Sequence, residues 1–515
     1  MLRDTSMAFA FGSNPAIAAF MVAFRFSNLM RRLFGEGAMS SGFVPHFETV
    51  RNRSQEEGVR FFRDLFISLT LFLTVVILAL EGVLWGILKW GNLSPNGSQI
   101  VFLTMLMLPG VLFICQFGLS SALLQCDKKF FLSGFAPVAF NVVWILAVLW
   151  LKGAEPAAAV SWLSVAVVIA FFMQWLMTAP HMFRLLGRQF SLKECFNASL
   201  FSPEVRALFK AVSLGMLGIA ATQINNALDG VFAWFASVEG PAYLWYAIRL
   251  EQLPLAMFGI ALSAALLPSL SRAFAEKDSS RAQELLNFVL KRGFSLIFPC
   301  VIGIFVLGAA SINLIYGRGE FSNDATYETT RCLWGYGLGL LPAVLVLIFA
   351  PAFYAQKDYR TPMIGTLLAV VLNIGLNALF VFGMGWGAFS IALGTSLSAC
   401  FNAWFLGSKL TKKTGSILER SLITSWFKTT LCALVAGGTT LLIGHFLTGD
   451  PSLKIMAGVS PIVFARNPLA QVLEFGVLTG VFGLIFFSYA WMFNATDILE
   501  LVRIKKMKPQ EKNQA

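Results

Sequence analysis

The chain reads as an all-α polytopic membrane protein of fourteen transmembrane segments, and three observations predict it. Of its 515 residues, 57% are hydrophobic and only 13% are charged, with a mean hydropathy of +0.72. The apolarity is divided among thirteen runs, each long enough for the roughly 20 residues that a helix needs to cross the hydrocarbon core. The lysines and arginines gather in alternate connections between those runs. Composition excludes a string of soluble domains, and a membrane barrel is excluded because its strands would alternate in polarity. Helices remain, since they satisfy their backbone polar groups internally.

Segment 1 is the fragment MLRDTSMAFAFG at 1–12, apolar after Asp4 but too short to cross. It reads as the second half of a spanning helix and calls for about ten or more residues upstream; it lacks the order of a signal peptide. Segment 2 (16–34) opens with AIAAFMVAF, then carries Arg25, Arg31 and Arg32, with Glu36 just beyond. The basic stretch RNRSQEEGVRFFR leads to segments 3 (62–88) and 4 (98–125), and CDKKF leads to segments 5 (131–151) and 6 (157–179). These six make an N-lobe, 1–180, followed by a cytoplasmic linker, 181–210. The C-lobe, 211–408, holds segments 7 (211–236), 8 (241–270), 9 (293–316), 10 (333–355), 11 (363–383) and 12 (386–407). KLTKKTGSILER then enters segments 13 (429–448) and 14 (470–494), which with the basic tail occupy 409–515.

Connections after even-numbered segments, tail included, hold 28 of the 39 lysines and arginines, against 6 after odd-numbered ones. The positive-inside rule therefore places the even connections and the C-terminus in the cytoplasm. The net charge of +12 is a topological signal on this reading, and no nucleic-acid partner is expected. An internal repeat supports the two lobes. AFRF (23–26) followed by SSGFVPHF (40–47) matches AIRL (247–250) followed by SAALLPSL (263–270), and DTSMAFAFGS (4–13) matches DGVFAWFAS (229–237). QCDKKF (125–130) echoes QKDYRT (356–361). Six segments per copy make the repeat parallel, a class whose substrate site lies between the halves.

Five cations stand apart from the connections: Arg3, Arg25, Arg31, Arg32 and Arg249. Charges within a bilayer are expensive and mark pathways or binding sites. On a helical wheel Arg25, Asn28, Arg32 and Glu36 fall within about 80° of one another, with Arg31 roughly 120° from Arg25. For Arg31 and Arg32 the ordinary alternative is snorkelling to headgroups, with Glu36 as the i+4 partner of Arg32. Arg249 is flanked on both sides by apolar sequence, which favours a cavity. Arginine stays protonated in poor solvent and forks onto phosphate oxygens, so these residues suit an anionic diphosphate headgroup, whereas a cation exporter would gather carboxylates.

A second polar set, Asp229, Asn373, Asn377 and Thr395, offers oxygen ligands for a small cation; the alternative is that the asparagines join helices by hydrogen bonds. No phosphate-binding loop, zinc-protease or aspartate-rich diphosphate-metal motif is present, and His46, His181 and His445 are far apart, so an enzyme is not expected. The seven cysteines form no C-x-x-C and read as packing residues.

RD (3–4), NLMRRLFGEGAMSSGFVP (28–45), TQINNALD (222–229), YAIRLEQLPLAMFGIALSAALLPSLS (246–271) and APAFYAQKDYRTP (350–362) resemble the signatures of the MurJ (MviN) lipid II flippase family. The resemblance covers essentially the whole chain. It implies the multidrug/oligosaccharidyl-lipid/polysaccharide exporter fold, alternating access, lipid II as the carried partner among membrane lipids, a bacterial inner-membrane location and a monomer without a resident cofactor. The nearest alternative is a multidrug and toxin antiporter of the same fold. Arg3, Asp4 and Arg249 match the family's diphosphate-binding positions, and Arg31 matches its required arginine in segment 2, where the wheel favours Arg25 and Arg32. Family members also carry a Ser-Arg-x-x-Gly stretch ahead of the Arg-Asp pair, where this sequence begins; Ala18 and Ile248 replace commonly polar positions. Asp229, Asn373, Asn377 and Thr395 resemble a sodium site, with Asn377 standing where an aspartate would strengthen it, so sodium coupling and membrane potential are competing drivers.

Overall fold

The computed structural model describes residues 1–34, 38–187, 198–200, 202–415, 419–459, 461–495 and 497–499. Residues 188–197 and 201 of the expected linker and the tail from 500 onward, together with Glu36, lie outside the described residues. Among those described, the regular structure is entirely helical. The helices are α1 (Leu2–Phe11), α2 (Pro15–Phe34), α3 (Ala38–Arg53), α4 (Gln55–Trp90), α5 (Pro95–Cys126), α6 (Phe130–Trp150), α7 (Pro156–Leu186), α8 (Pro203–Ala236) and α9 (Gly240–Pro254). They continue with α10 (Ala261–Ala275), α11 (Ser279–Tyr316), α12 (Asn323–Ala355), α13 (Arg360–Ala378), α14 (Phe389–Thr414), α15 (Arg420–Ile443), the short α16 (Ser452–Met456) and α17 (Pro468–Met492).

Eleven helical stretches among the described residues are long and apolar enough to span a bilayer, and they coincide with expected segments 3–6 and 8–14. The count of fourteen is not reached. α1 has only 10 residues, and α2, with 20, carries Arg25, Arg31 and Arg32 within its length. α8 runs 34 residues through expected segment 7, but the side chains of 211–219 are outside the description. The protein is multi-pass on the eleven alone.

Two features differ from the expected loops. The stretch after segment 2 forms α3, whose Phe43 and Phe47 are buried against Phe61 and Phe62 of α4. Its interior Pro45 and weak hydropathy hid this helix from a search for apolar runs. The charged connections before segments 3 and 9 are helical too, extending α4 to 36 and α11 to 38 residues. Both stretches, QEEGVRFFRD and SSRAQELLNFVLKR, are rich in straight-chain helix formers, so the helix continues past the membrane boundary.

Compactness divides the chain into two units. The first comprises 1–246, 316–325 and 370–391; the second comprises 247–315, 326–369 and 392–515. In the first, α5 packs on α2, α4 and α7, and α2 also lies against α8. In the second, α15 and α17 meet through Cys432, Ala433, Ala436 and Ala490, small side chains that let helices approach where no hydrophobic effect drives them together. The lipid-facing side of α4 exposes Leu71, Val75 and Leu78, a helical spacing. Among the described cysteines, all free thiols, Cys115, Cys126, Cys332 and Cys432 are buried, Cys300 is half-buried and Cys400 is exposed.

π-Turns interrupt three spans, at Leu255–Ile260, Leu379–Gly383 and Gly444–Thr448. The first follows Pro254, which has no N–H to continue an α ladder. The second begins two residues after Asn377, and such turns recur at functional sites.

Three helices end alike. Lys128, Lys277 and Lys357, just past α5, α10 and α12, have φ of +58°, +57° and +59°. The next N–H in each case returns to a carbonyl five residues back, Lys129 to Leu124 (2.8 Å), Asp278 to Ala273 (2.9 Å) and Asp358 to Phe353 (3.0 Å). This is the left-handed stop that normally selects glycine.

The stop at Lys357 shows why QKDYRT is a distinct element. Asp358 accepts hydrogen bonds from the Thr361 N–H at 3.0 Å and its hydroxyl at 2.8 Å, capping α13, and from the Lys413 ammonium of α14. The lysine bond and the capping bonds pull its carboxyl down from 3.8 to about 2. The Lys413 side chain is 43% exposed, so solvent screening holds the pair to about 1 kcal/mol. A depressed folded pKa stabilises above the unfolded value and loses that contribution as pH falls through the folded one. Asp358→Asn should therefore lower stability by about 1 kcal/mol at neutral pH, with the deficit vanishing as pH drops from about 4 to about 2. Unfolding followed against pH for both proteins would show it; a deficit that persists unchanged at pH 2 would contradict the assignment.

Candidate functional site

α1 is short and apolar apart from its first turn, where Arg3 and Asp4 sit. Asp4 is buried, and its Oδ1 accepts from Arg3 Nη2 at 3.1 Å and from the Trp245 indole N–H at 3.0 Å. The Arg3 guanidinium lies over the buried Trp144 ring of α6, 4.7 Å from its centroid. Phe24 of α2 meets Trp144 and Trp245 edge-on at 5.0 and 5.7 Å, so rings from α2, α6 and α9 enclose the pair. Neighbouring residues on a helix do not naturally face each other; here the ring beneath the guanidinium contributes a cation–π attraction that grows on desolvation. The Arg3 Nε is buried with no hydrogen-bond partner among the described residues, a donor left for an anion.

The turn from α1 to α2 is fixed by backbone. Gly12 has φ +64°, and a Cβ there would lie 2.3 Å from the Glu320 carbonyl oxygen. Its own carbonyl accepts from the buried Tyr246 hydroxyl at 3.0 Å. Only glycine fits so close a backbone approach.

Along α2 the arginines separate. Arg25 donates to the Asn226 carbonyl of α8 at 3.2 Å and lies over Gly230, where a Cβ would come within 2.9 Å of its Cδ. Arg31 donates through Nε to Asn28 Oδ1 at 2.7 Å, and Arg32 is exposed. The wheel grouped Asn28 with Arg25 and Arg32 and set Arg31 apart. A long side chain folds back one turn towards the helix N-terminus, so Arg31 reaches Asn28 at i−3.

The proposed cation ligands are partly united. Buried Asp229 of α8 accepts from the Asn377 amide at 2.7 Å, and the same amide donates to Asn373 Oδ1 at 2.7 Å. One N–H₂ thus sits between a carboxylate and a carbonyl oxygen, as a small cation would. Thr395, half-buried on α14, and Arg249, half-buried on α9, belong to the second unit. No cluster of three or more His, Cys, Asp or Glu suited to a metal ion occurs among the described residues.

Sequence reasoning missed Trp144 and Trp245. The signal for Trp245 was present in YLWYAIRL, where it stands one helical turn before Arg249. For Trp144, nothing in the sequence distinguishes it from a lipid-facing aromatic.

The model of the family described as Lipid II flippase MurJ matches residues 7–459. The chain is 30% identical to the "Probable lipid II flippase MurJ" of Chlamydia pneumoniae, over 99% of this chain and 92% of that one. Among solved structures it superposes on "Lipid II flippase MurJ, inward closed conformation" with a TM-score of 0.74 at 20% identity, covering 97% and 96% of the two chains. An inward-facing multidrug-resistance transporter of the MATE family gives 0.65 at 16% identity, covering 81% of this chain and 95% of that one.

Proposed function

The chain belongs to the lipid II flippase MurJ family, and from that premise we propose that it carries lipid II, the lipid-linked peptidoglycan precursor, from the inner to the outer leaflet of the bacterial cytoplasmic membrane by alternating access. The family is one of transporters, and the protein performs no bond-making step. The observation that supports the anionic substrate is the Arg3 guanidinium, held by Asp4 and Trp144 with its Nε still unsatisfied. Arg25, Arg31, Arg32 and Arg249 are proposed to contribute further positive charge, and Glu36 to balance it. A MATE-type antiporter is the weaker reading, because the charges within α1, α2 and α9 are predominantly cationic. The repeat supplies two six-helix lobes, 1–180 and 211–408, with fourteen segments in all once α1, α2 and α8 are counted. The charge bias places the C-terminus in the cytoplasm, and the protein works as a monomer.

Reconstitution tests the reading. Purified protein in liposomes should expose inner-leaflet fluorescent lipid II to an external quencher or enzyme; exposure no faster than in protein-free liposomes, from a folded preparation, would refute it.

Sodium coupling is proposed at Asp229, Asn373 and Asn377, whose oxygens fit a monovalent cation: the Asp229 carboxylate and the Asn373 carbonyl, buried and already converging on the Asn377 N–H₂, with the Asn377 carbonyl as a third ligand once that amide turns. The bound cation would supply fixed positive charge at that point, and Asp229 its counter-charge. Asn377→Asp should lower the sodium concentration giving half-maximal transport by about tenfold, since a second carboxylate strengthens the ligand field. Transport measured against sodium at constant ionic strength checks it, and a profile flat in both proteins would leave membrane potential as the driver.

A further inference from the structure

A cavity of about 470 Å³ opens beside the first turns of α15, lined among others by Lys291 of α11, by Arg420, Thr424 and Lys428 of α15, and by Asn494 and Asp497 after α17. None of the residues assigned to substrate or sodium contributes to it. Its walls are fixed: the Asp497 carbonyl accepts from Arg292 Nη1 at 2.7 Å, its carboxylate accepts from the buried Ser425 hydroxyl, and the Asn494 carbonyl accepts from Lys428 Nζ at 3.4 Å. Three cations face one carboxylate, which already has a hydroxyl donor. The side chains of Lys291 and Arg420 make no ion pair or hydrogen bond with a described residue. The first N–H groups of α15 add the positive end of a helix at the same place.

We propose that this cavity binds the phosphodiester headgroup of an anionic membrane lipid. The neighbouring face of α15 says why the phosphate arrives on a lipid. Ile423, Phe427 and Leu434, spaced along one side of the helix, are 53%, 67% and 53% exposed, a strip on which acyl chains lie while the headgroup turns into the cavity. Basic pockets between helices at the cytoplasmic surface are the usual setting for such headgroups, and the orientation proposed above puts the start of α15 there. Arg420 would fork onto the phosphate oxygens, Lys291 and Lys428 would act as point charges, and Thr424 would donate its hydroxyl.

The test uses the full chain in detergent, titrated with phosphatidylglycerol or phosphatidylcholine and read by native mass spectrometry. Phosphatidylglycerol should bind in preference to phosphatidylcholine. Each neutralised cation should weaken it about fivefold, so Arg420→Gln with Lys428→Gln should weaken it roughly 25-fold. Lys291→Gln alone should show the fivefold loss and serves if the double variant fails to fold. Equal retention of phosphatidylglycerol by wild type and a folded variant would overturn the site. Displacement of the lipid by an equal concentration of inorganic phosphate would overturn the lipid as its ligand and assign a soluble phosphate.

Discussion

Arg249→Lys should slow lipid II translocation by about tenfold or more although the formal charge is kept. A guanidinium offers a planar fork to two oxygens of one phosphate, while an ammonium offers a point contact and sheds its proton more readily when dehydrated. Losing one charge-assisted hydrogen bond of about 1.5 kcal/mol already accounts for a factor near ten. Arg249 is half-buried on α9. The same exchange at the exposed Arg32 should change translocation little, because a snorkelling cation needs only charge. Rates for both exchanges in the same liposomes decide the matter, and equal tolerance of lysine at the two positions would remove the reason to treat Arg249 as a diphosphate ligand.

The second large effect is expected at Asp4. Asp4→Ala leaves the largely buried Arg3 guanidinium without its counter-charge and the Trp245 indole N–H without its acceptor. Breaking a buried pair from one side costs about 3 kcal/mol, and an orphaned buried donor about 1 kcal/mol or more besides. Asp4→Asn should fall between, since a carboxamide oxygen still receives the indole while the charge is lost. Thermal unfolding of the three proteins should rank them wild type, Asn, Ala, with lipid II binding declining in the same order. An Ala variant as stable as wild type would mean that the aromatic enclosure, rather than the carboxylate, holds Arg3.

Those two residues show what the sequence made legible. Hydropathy located every long span, because each helix must cross the same thickness of hydrocarbon. Charge within apolar runs singled out Arg3, Arg25, Arg31, Arg32 and Arg249, because such residues are costly enough to need a purpose. The aromatic partners of Arg3 were not legible: Trp144 shares its run with Phe140 and Trp150, and only tertiary packing separates the buried ring from the one that is 76% exposed. A wheel records where side chains start and not how far they reach, so it did not reveal the Arg31–Asn28 hydrogen bond. Arg63 was counted as a loop cation, yet it is buried at 7% exposure and doubly hydrogen-bonded to Asp64. Its neighbours in RNRSQEEGVRFFR are charged, and a count of charges cannot distinguish a topological signal from a structural pair.

The three left-handed lysines bear on how the chain is threaded into the bilayer during its synthesis. At Lys128, Lys277 and Lys357 a glycine would relieve about 1 kcal/mol of backbone strain in the finished protein. It would also delete a positive charge from the flank of a nascent span, and such charges tell the insertion machinery which end of a helix stays behind. With the orientation proposed here, all three lie on the side that is not translocated. The same side chain therefore stops a helix and addresses it, and a sequence optimised only for the stability of the folded state would discard part of the instruction by which that state is reached.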